Sequence, residues 1–420
     1  MPEKKLSRRS LIAGAAVAGA GVLLDNLPIE AQQKAAAAPT PAAPPVPVAP
    51  ADPSKVPGSP TTAVGERSPF FTPKRAPVGD ITGTSFTPLQ DLSGTITPSD
   101  LHFTRIHAGV PTIDPTKHTL LIHGMVDRPL EFTLADLKRF PSDTRMAFIE
   151  CAGNGRSAYR TPKPDMTPQQ VDGMVSNSEW TGVPLSVLFN EVGVQHGAKY
   201  FLAEGGDACL MARTVPVSKG REDAMVVWAQ NGEAIRPEQG YPIRLLLPGY
   251  EGNMNVKWLR RIELAEEPFM TRWETSKYSD PLPGDKVRMF SYEMDAKSII
   301  TSPAYPEKLT PGYRAITGLA WTGRGRISRV ELSTNGGKHW NAAELLTPQS
   351  SKAQVRFQFM WNWTGEEALL MSRAIDDTGY TQPTYAQLRA VRGPGTDYHF
   401  NSIRAWRVAR DGTVTFEANT

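Results

Sequence analysis

The chain has 420 residues, with 46 Lys and Arg against 43 Asp and Glu, a net charge of +3 and two cysteines. This near-neutral balance, without a basic stripe interleaved with aromatics, speaks against a nucleic-acid binder. Two cysteines are too few for a disulfide framework, and after the first two dozen residues no apolar run approaches the length of a membrane span.

In chain order, Lys4, Lys5 and Ser7-Arg8-Arg9-Ser10-Leu11-Ile12 precede a small-residue apolar stretch that ends near Leu24. A basic head, a short apolar run and an alanine-rich exit read as a signal peptide. Its paired arginines match the twin-arginine export signal, so residues 1–33 are expected to direct the chain to the periplasm by that route. Residues 34–78 are rich in alanine and proline, and read as a solvated linker with nothing to bury. The remaining residues suffice for two domains with real cores.

Residues 79–292 alternate short strands and short helices. His118–His123 and Arg145–Glu150 read as strands, and Thr133 with Asp136 forms a capping box ahead of a one-to-two-turn helix. Leu185, Leu188, Phe189 and Val192 share one helical face that Gly193 closes. Strands are expected at 200–203, 225–229, 243–247 and 258–264, with Asn231-Gly232 as a tight turn. Within 293–420 helical periodicity is absent. Strand-like runs at 314–321, 326–333, 340–345, 355–363 and 368–375 suggest an immunoglobulin-like β-sandwich. The fold class expected is therefore α+β, a mixed domain followed by a sandwich.

Cys151 sits in Phe148-Ile149-Glu150-Cys151-Ala152-Gly153-Asn154-Gly155-Arg156, where a buried strand breaks into a glycine-rich loop. A thiolate there is a soft ligand for a soft or high-valent metal, and Arg156 is expected to lower its pKa. An inert buried cysteine, or half of a disulfide with Cys209, fits the same residues. The seven histidines form no His-x-x-x-His or Glu-x-x-His pair, which disfavours a protein-only metal site. Neither a Gly-x-Gly-x-x-Gly after a strand nor a Walker loop occurs. An organic metal cofactor that needs one protein thiolate remains.

Cys151-Ala-Gly-Asn-Gly-Arg156 resembles the cysteine loop of the sulfite oxidase family of molybdenum enzymes. Phe103-Thr-Arg-Ile-His107, Gly240-Tyr-Pro-Ile-Arg244 and Asn255-Val-Lys-Trp-Leu259 are similar to further segments of that family, in the right order. Glu251–Arg261 and Glu274-Thr-Ser-Lys-Tyr278 resemble its haem-free exported branch, the molybdenum subunit of the Sox sulfane dehydrogenases. The resemblance implies Cys151 as the molybdenum ligand and molybdopterin as cofactor, held by His107, Asp207, Arg244, Asn255, Val256 and Lys257. It implies Arg105, Arg156, Tyr278 and Arg326 as catalytic residues, the last reaching the substrate pocket from the second domain.

The same resemblance implies a sulfur compound as substrate, either sulfite or a sulfane on a carrier protein. It further implies a homodimer through the sandwich and a c-type cytochrome partner, since no Cys-x-x-Cys-His attaches haem to this chain. A stand-alone sulfite dehydrogenase and an exported binding protein are the competing readings. Residue by residue, Arg105 and Arg156 could be solvated surface groups, Tyr278 a packing tyrosine, and Arg326 part of a charged strand face. His107 and Asp207 could be structural hydrogen-bond partners. Two departures stand out from the family pattern: Gly155 replaces an arginine, and Gln239 a histidine.

Overall fold

The computed structural model describes residues 48–282, 284, 286–393 and 395–418. The expected signal peptide, and the linker as far as residue 47, lie outside the described residues. The chain divides into two units, 1–72 and 73–420. In the first, the described residues carry one short 3-10 turn, Pro53–Lys55, opened by the Asp52 carboxylate accepting from the Ser54 amide at 3.2 Å.

The second unit opens with a three-stranded sheet of Ala76–Gly79, Gly83–Phe86 and Thr104–Ile106. Its first strand begins inside the expected linker, because Ala76–Gly79 finds antiparallel partners in Gly83–Phe86. Two five-stranded sheets follow. In one, Asp143–Glu150 pairs with Val175–Pro184, which pairs with Met225–Gln230. The other has Thr119–Gly124 beside Leu259–Ala265 as a parallel pair, extended by Tyr200–Gly205 and Ala212–Pro216. The Leu185–Val192 helix buries Leu185, Leu188, Phe189 and Val192, the face expected, and Gly193 ends it at φ 67°, a conformation that suits glycine. The Thr133–Asp136 capping box is present.

From Lys297 onward two antiparallel sheets face each other. One is built from Lys297–Ser302, Gly312–Trp321, Val355–Trp363 and Glu344–Leu345; the other from Asn341–Ala342, Ile327–Ser333, Ala368–Asp376, Ala405–Val408 and Val414–Glu417. The strand expected at 340–345 is thus two short pieces, one on each sheet, and the chain changes layers there. A helix at Tyr385–Arg392 overturns the expectation that this region is free of helices. A Thr384/Gln387 capping box starts it, and Leu388 is its one buried apolar residue, too little to register as a periodic face. The α+β architecture with a terminal sandwich is the one the sequence leads one to expect.

One core joins the two parts. Phe148, Val171 and Val175 of the mixed domain pack in the same apolar cluster as Ile299, Leu319, Trp321 and Phe357 of the sandwich. A second cluster around Leu188, Phe189, Phe201 and Ile262 belongs to the mixed domain alone. Trp180, Trp258 and Trp321 are all buried.

Candidate active site

The Asp143–Glu150 strand is buried from Ala147 onward and ends at Cys151. The Cys151 amide donates to the Met174 carbonyl at 3.0 Å, and the Cys151 carbonyl accepts from the Asn154 amide at 2.8 Å. That turn stops the strand and leaves the thiol facing a cleft. Both cysteines are free thiols, so the disulfide reading is excluded. Burial pushes the Cys151 thiol above its ordinary pKa, while the Gly153 amide and the charges of Arg105 and Arg156 pull it down. Desolvation wins in the ligand-free protein, which corrects the expectation that Arg156 sets a low value.

Arg105, His107, Asp207, Arg244, Asn255, Val256, Lys257 and Tyr278 line the same cleft as Cys151. They come from separate parts of the chain. Arg105 lies on Thr104–Ile106, and Asp207 follows the Tyr200–Gly205 strand. Arg244 begins a short strand against Met225–Gln230, while Asn255 to Lys257 lie between the 3-10 turn Gly252–Met254 and the Leu259–Ala265 strand. Gly240, at φ 110°, is a position that suits glycine, and a Cβ there would sit tightly, 3.0 Å from Lys257 Cβ and 3.2 Å from Arg244 Cβ.

The cations of this cleft have few anions to meet. Arg244 donates to the carbonyls of Gln239 and Asn255, both at 3.0 Å, its Nε has no partner, and burial pushes its pKa down to about 9. Lys257 donates to the carbonyls of Glu238 at 2.8 Å and Arg105 at 3.1 Å, and burial beside Arg244 takes its pKa to about 7. Asp207, the nearest carboxylate lining the cleft, already accepts from the Cys209 thiol at 2.9 Å and the Met211 amide at 3.3 Å. His107 is held neutral, at about 3, by burial and by Arg105 and Lys257. Its Nε2 lies 3.4 Å from the Tyr278 hydroxyl. Tyr278 is itself pushed up by burial, then by Cys151 and Tyr398, which keeps its phenol a proton donor.

Two expected residues lie elsewhere. Arg156 opens the Arg156–Arg160 helix, but its Nε and Nη2 donate to the Asp397 carbonyl at 3.2 and 2.7 Å, and its guanidinium sits 5.4 Å from the Tyr398 ring. It reaches Cys151 through its charge, not as a wall of the cleft. Arg326 does not approach the site. It precedes the Ile327–Ser333 strand, and its side chain is 65% exposed, with Nε 3.7 Å from the Asp377 carboxylate. The reading of Arg326 as a substrate-pocket residue is corrected on that ground.

Sequence reasoning missed a supporting layer. Glu274, buried, accepts from Arg213 at 2.9 Å, and the Arg213 guanidinium lies 4.8 Å from the Tyr278 ring. The Tyr398 ring packs against Tyr278 at a tilt of 36°, centroids 5.2 Å apart. No local pattern marks residues that meet only in the fold. Gln239, the departure from the family histidine, lines the cleft and donates to the Phe103 carbonyl at 2.8 Å and to Thr104 Oγ1 at 2.7 Å. At Gly155, φ is 88°, and a Cβ would strike the Arg404 guanidinium and the Asp172 carboxylate. A larger residue there is excluded by an arginine that arrives from the sandwich.

One thiol beside buried cations that lack carboxylate partners defines a site for an anionic cofactor that carries its own metal. The orphaned Arg244 Nε, the orphaned buried His102 Nε2 and the crowded glycines fit a phosphate-bearing pterin. Residues 107–273 match the oxidoreductase molybdopterin binding domain, and residues 288–405 the Mo-co oxidoreductase dimerisation domain. Sulfite oxidase of Gallus gallus is 28% identical over 323 residues, which cover 71% of this chain and 70% of that protein. An NADH nitrate reductase of Solanum lycopersicum is 29% identical over 332 residues, 69% of this chain but 36% of that protein. The crystal structure of the sulfane dehydrogenase SoxCD from Paracoccus pantotrophus superposes with a TM-score of 0.79 at 44% identity, covering 82% of this chain and 90% of that one. The chain belongs to the sulfite oxidase family of molybdenum enzymes.

Proposed function

We propose that the protein is a periplasmic sulfur-compound dehydrogenase that adds water-derived oxygen to a sulfane carried on a protein thiol and passes electrons to a c-type cytochrome on another chain. The observation that carries this reading is the 44% identity to a sulfane dehydrogenase along 90% of its chain, together with the Cys151 cleft. Arg8-Arg9 support export by the twin-arginine route. The dimerisation-domain match supports a homodimer through the sandwich, where Tyr313 and Met360 are exposed.

Adding one water oxygen to a sulfur releases two protons and two electrons. Molybdenum–molybdopterin, when bound, supplies oxygen-atom transfer and the two-electron redox change. Cys151 would ligate the metal, and Arg244 and Lys257 would hold the cofactor phosphate, where charge-assisted hydrogen bonds are strongest. Arg105 would stabilise the negative charge that grows on the oxidised sulfur, and the Tyr278 phenol would donate a hydrogen bond beside it. His107, neutral, keeps that phenol in place.

The test is cytochrome c reduction by the holoenzyme with free sulfite and with a persulfidated carrier protein. Turnover on the carrier is expected. Turnover on sulfite alone assigns the chain to the sulfite dehydrogenases, a reading favoured by its identity to sulfite oxidases. A protein purified without molybdenum would overturn both.

A further inference from the structure

Behind the cysteine loop, on the side away from the cleft, four ionisable side chains are buried together. Glu150 and Lys297 are each 1% exposed, and Asp172 and Arg404 are buried with them. Lys297 Nζ lies 3.1 Å from Glu150 Oε1 and 2.5 Å from Asp172 Oδ1. Arg404 Nε lies 3.2 Å from Asp172 Oδ2. Both acids belong to the mixed domain, at the ends of the Asp143–Glu150 strand and the Pro168–Asp172 helix. Both bases belong to the sandwich: Lys297 begins its first strand and Arg404 precedes Ala405–Val408.

The second carboxylate oxygen of Glu150 accepts from the Trp321 indole N–H at 2.7 Å, again from the sandwich. Its first oxygen also accepts from Asn154 Nδ2 at 2.9 Å, and Lys297 Nζ lies 3.4 Å from the Asn154 carbonyl. The loop that presents Cys151 is therefore gripped at both ends, at Glu150 and at Asn154, by one cluster. Side chains alternate along a strand, so Glu150 turns into the junction as its neighbour turns to the cleft. Two acids meet two bases, and no member is left to hold a ligand.

We propose that Glu150 and Lys297 are positioning residues, through which the sandwich sets the place and direction of the Cys151 thiol. This rests on the reading of Cys151 as the molybdenum ligand. Buried ion pairs add little net stability over apolar replacements, and fixing one geometry is the better-supported reason to keep them. Partners behind a metal ligand typically change metal affinity or activity by about 10–100-fold when removed.

The experiment uses full-length holoprotein. In Glu150→Gln the amide nitrogen faces the Trp321 indole donor or the Lys297 ammonium, so the grip loosens without loss of volume. Turnover per bound molybdenum should fall about 10–100-fold while KM stays within about twofold. Molybdenum K-edge X-ray absorption should show a lengthened or disordered Mo–S(Cys) component. Lys297→Met should behave alike, and Lys297→Arg, which keeps the cation, should recover most of the loss. Trp321→Phe removes the indole hydrogen bond to Glu150 together with some buried volume, so it should lower the melting temperature but shift turnover and absorption less than Glu150→Gln, in the same direction; it serves where Glu150→Gln does not fold. A lowered melting temperature with unchanged absorption and unchanged turnover per molybdenum would overturn the proposal. Cys151→Ser is the separate control: a retained Mo–S(Cys) component there would sink the ligand assignment itself, whatever Glu150→Gln does.

Discussion

Two groups of buried cations, one in the cleft and one at the domain junction, live under opposite rules. At the domain junction Lys297 and Arg404 each face a carboxylate at 3.2 Å or less. In the cleft Arg244 and Lys257 donate to backbone carbonyls and, for Arg244, to the Gln239 amide oxygen, with no carboxylate among their hydrogen-bond partners, and burial lowers both their pKa values. A buried charge without a counter-charge is costly, so a fold keeps one where a ligand supplies the missing anion. The junction is complete as it stands; the cleft is complete only when loaded.

The comparison breaks most visibly at Cys151. Cys151→Ser should leave the fold intact and reduce activity by more than about 100-fold, since a metal ligand matters at least as much as the groups behind it. Circular dichroism and steady-state assays check this. Next in size, Lys297→Met leaves Glu150 without a cation and Asp172 with Arg404 alone, and should destabilise the protein by about 3–5 kcal/mol, read from the urea midpoint. The matching change in the cleft should act in the other direction. Lys257→Met relieves an unpaired cation, so the apoprotein should melt no lower than wild type, whereas molybdopterin content after purification should fall about tenfold. Equal destabilisation by the two variants would erase the distinction between them.

A smaller effect sharpens it through pH. Lys257, facing Arg105, Arg244, Asp207 and Glu238, titrates near 7 in the folded apoprotein against an ordinary 10.5. Between those values the unfolded chain holds a proton there that the folded chain does not, so this group makes stability rise with pH across that window. The advantage of apo Lys257→Met over wild type should be largest below pH 7 and vanish above pH 10.5. Differential scanning calorimetry at a series of pH values checks the slope.

Much of the cleft was legible because its residues come in short contiguous segments. Phe103–His107, Cys151–Arg156, Gly240–Arg244 and Asn255–Leu259 each carry their own pattern, and each segment supplies at least one lining residue, Cys151 and Arg244 being the ones from the second and third. Strands with alternating or continuous apolar runs, such as Val355–Trp363, were legible for the same reason. What escaped were relations between distant positions. Nothing near Arg326 reveals that it faces solvent, nor does anything near Arg156 announce the Asp397 carbonyl that captures it. The Glu150–Lys297 pair spans 147 positions and both cluster bases lie beyond residue 292, so no window of sequence contains them. Gly155 read as a lost charge; in the fold its missing side chain makes space for Arg404.

The apolar cluster shared by Phe148, Val171 and Val175 with Trp321 and Phe357 has a consequence for how the molecule can be taken apart. A sandwich appended for assembly would be removable, and its neighbour would survive as an independent enzyme. Here the cut would open a wound on the catalytic half, exposing the back of the strand that ends in Cys151. The two domains should therefore melt in one transition, and neither half should be inherited, swapped or engineered without the other.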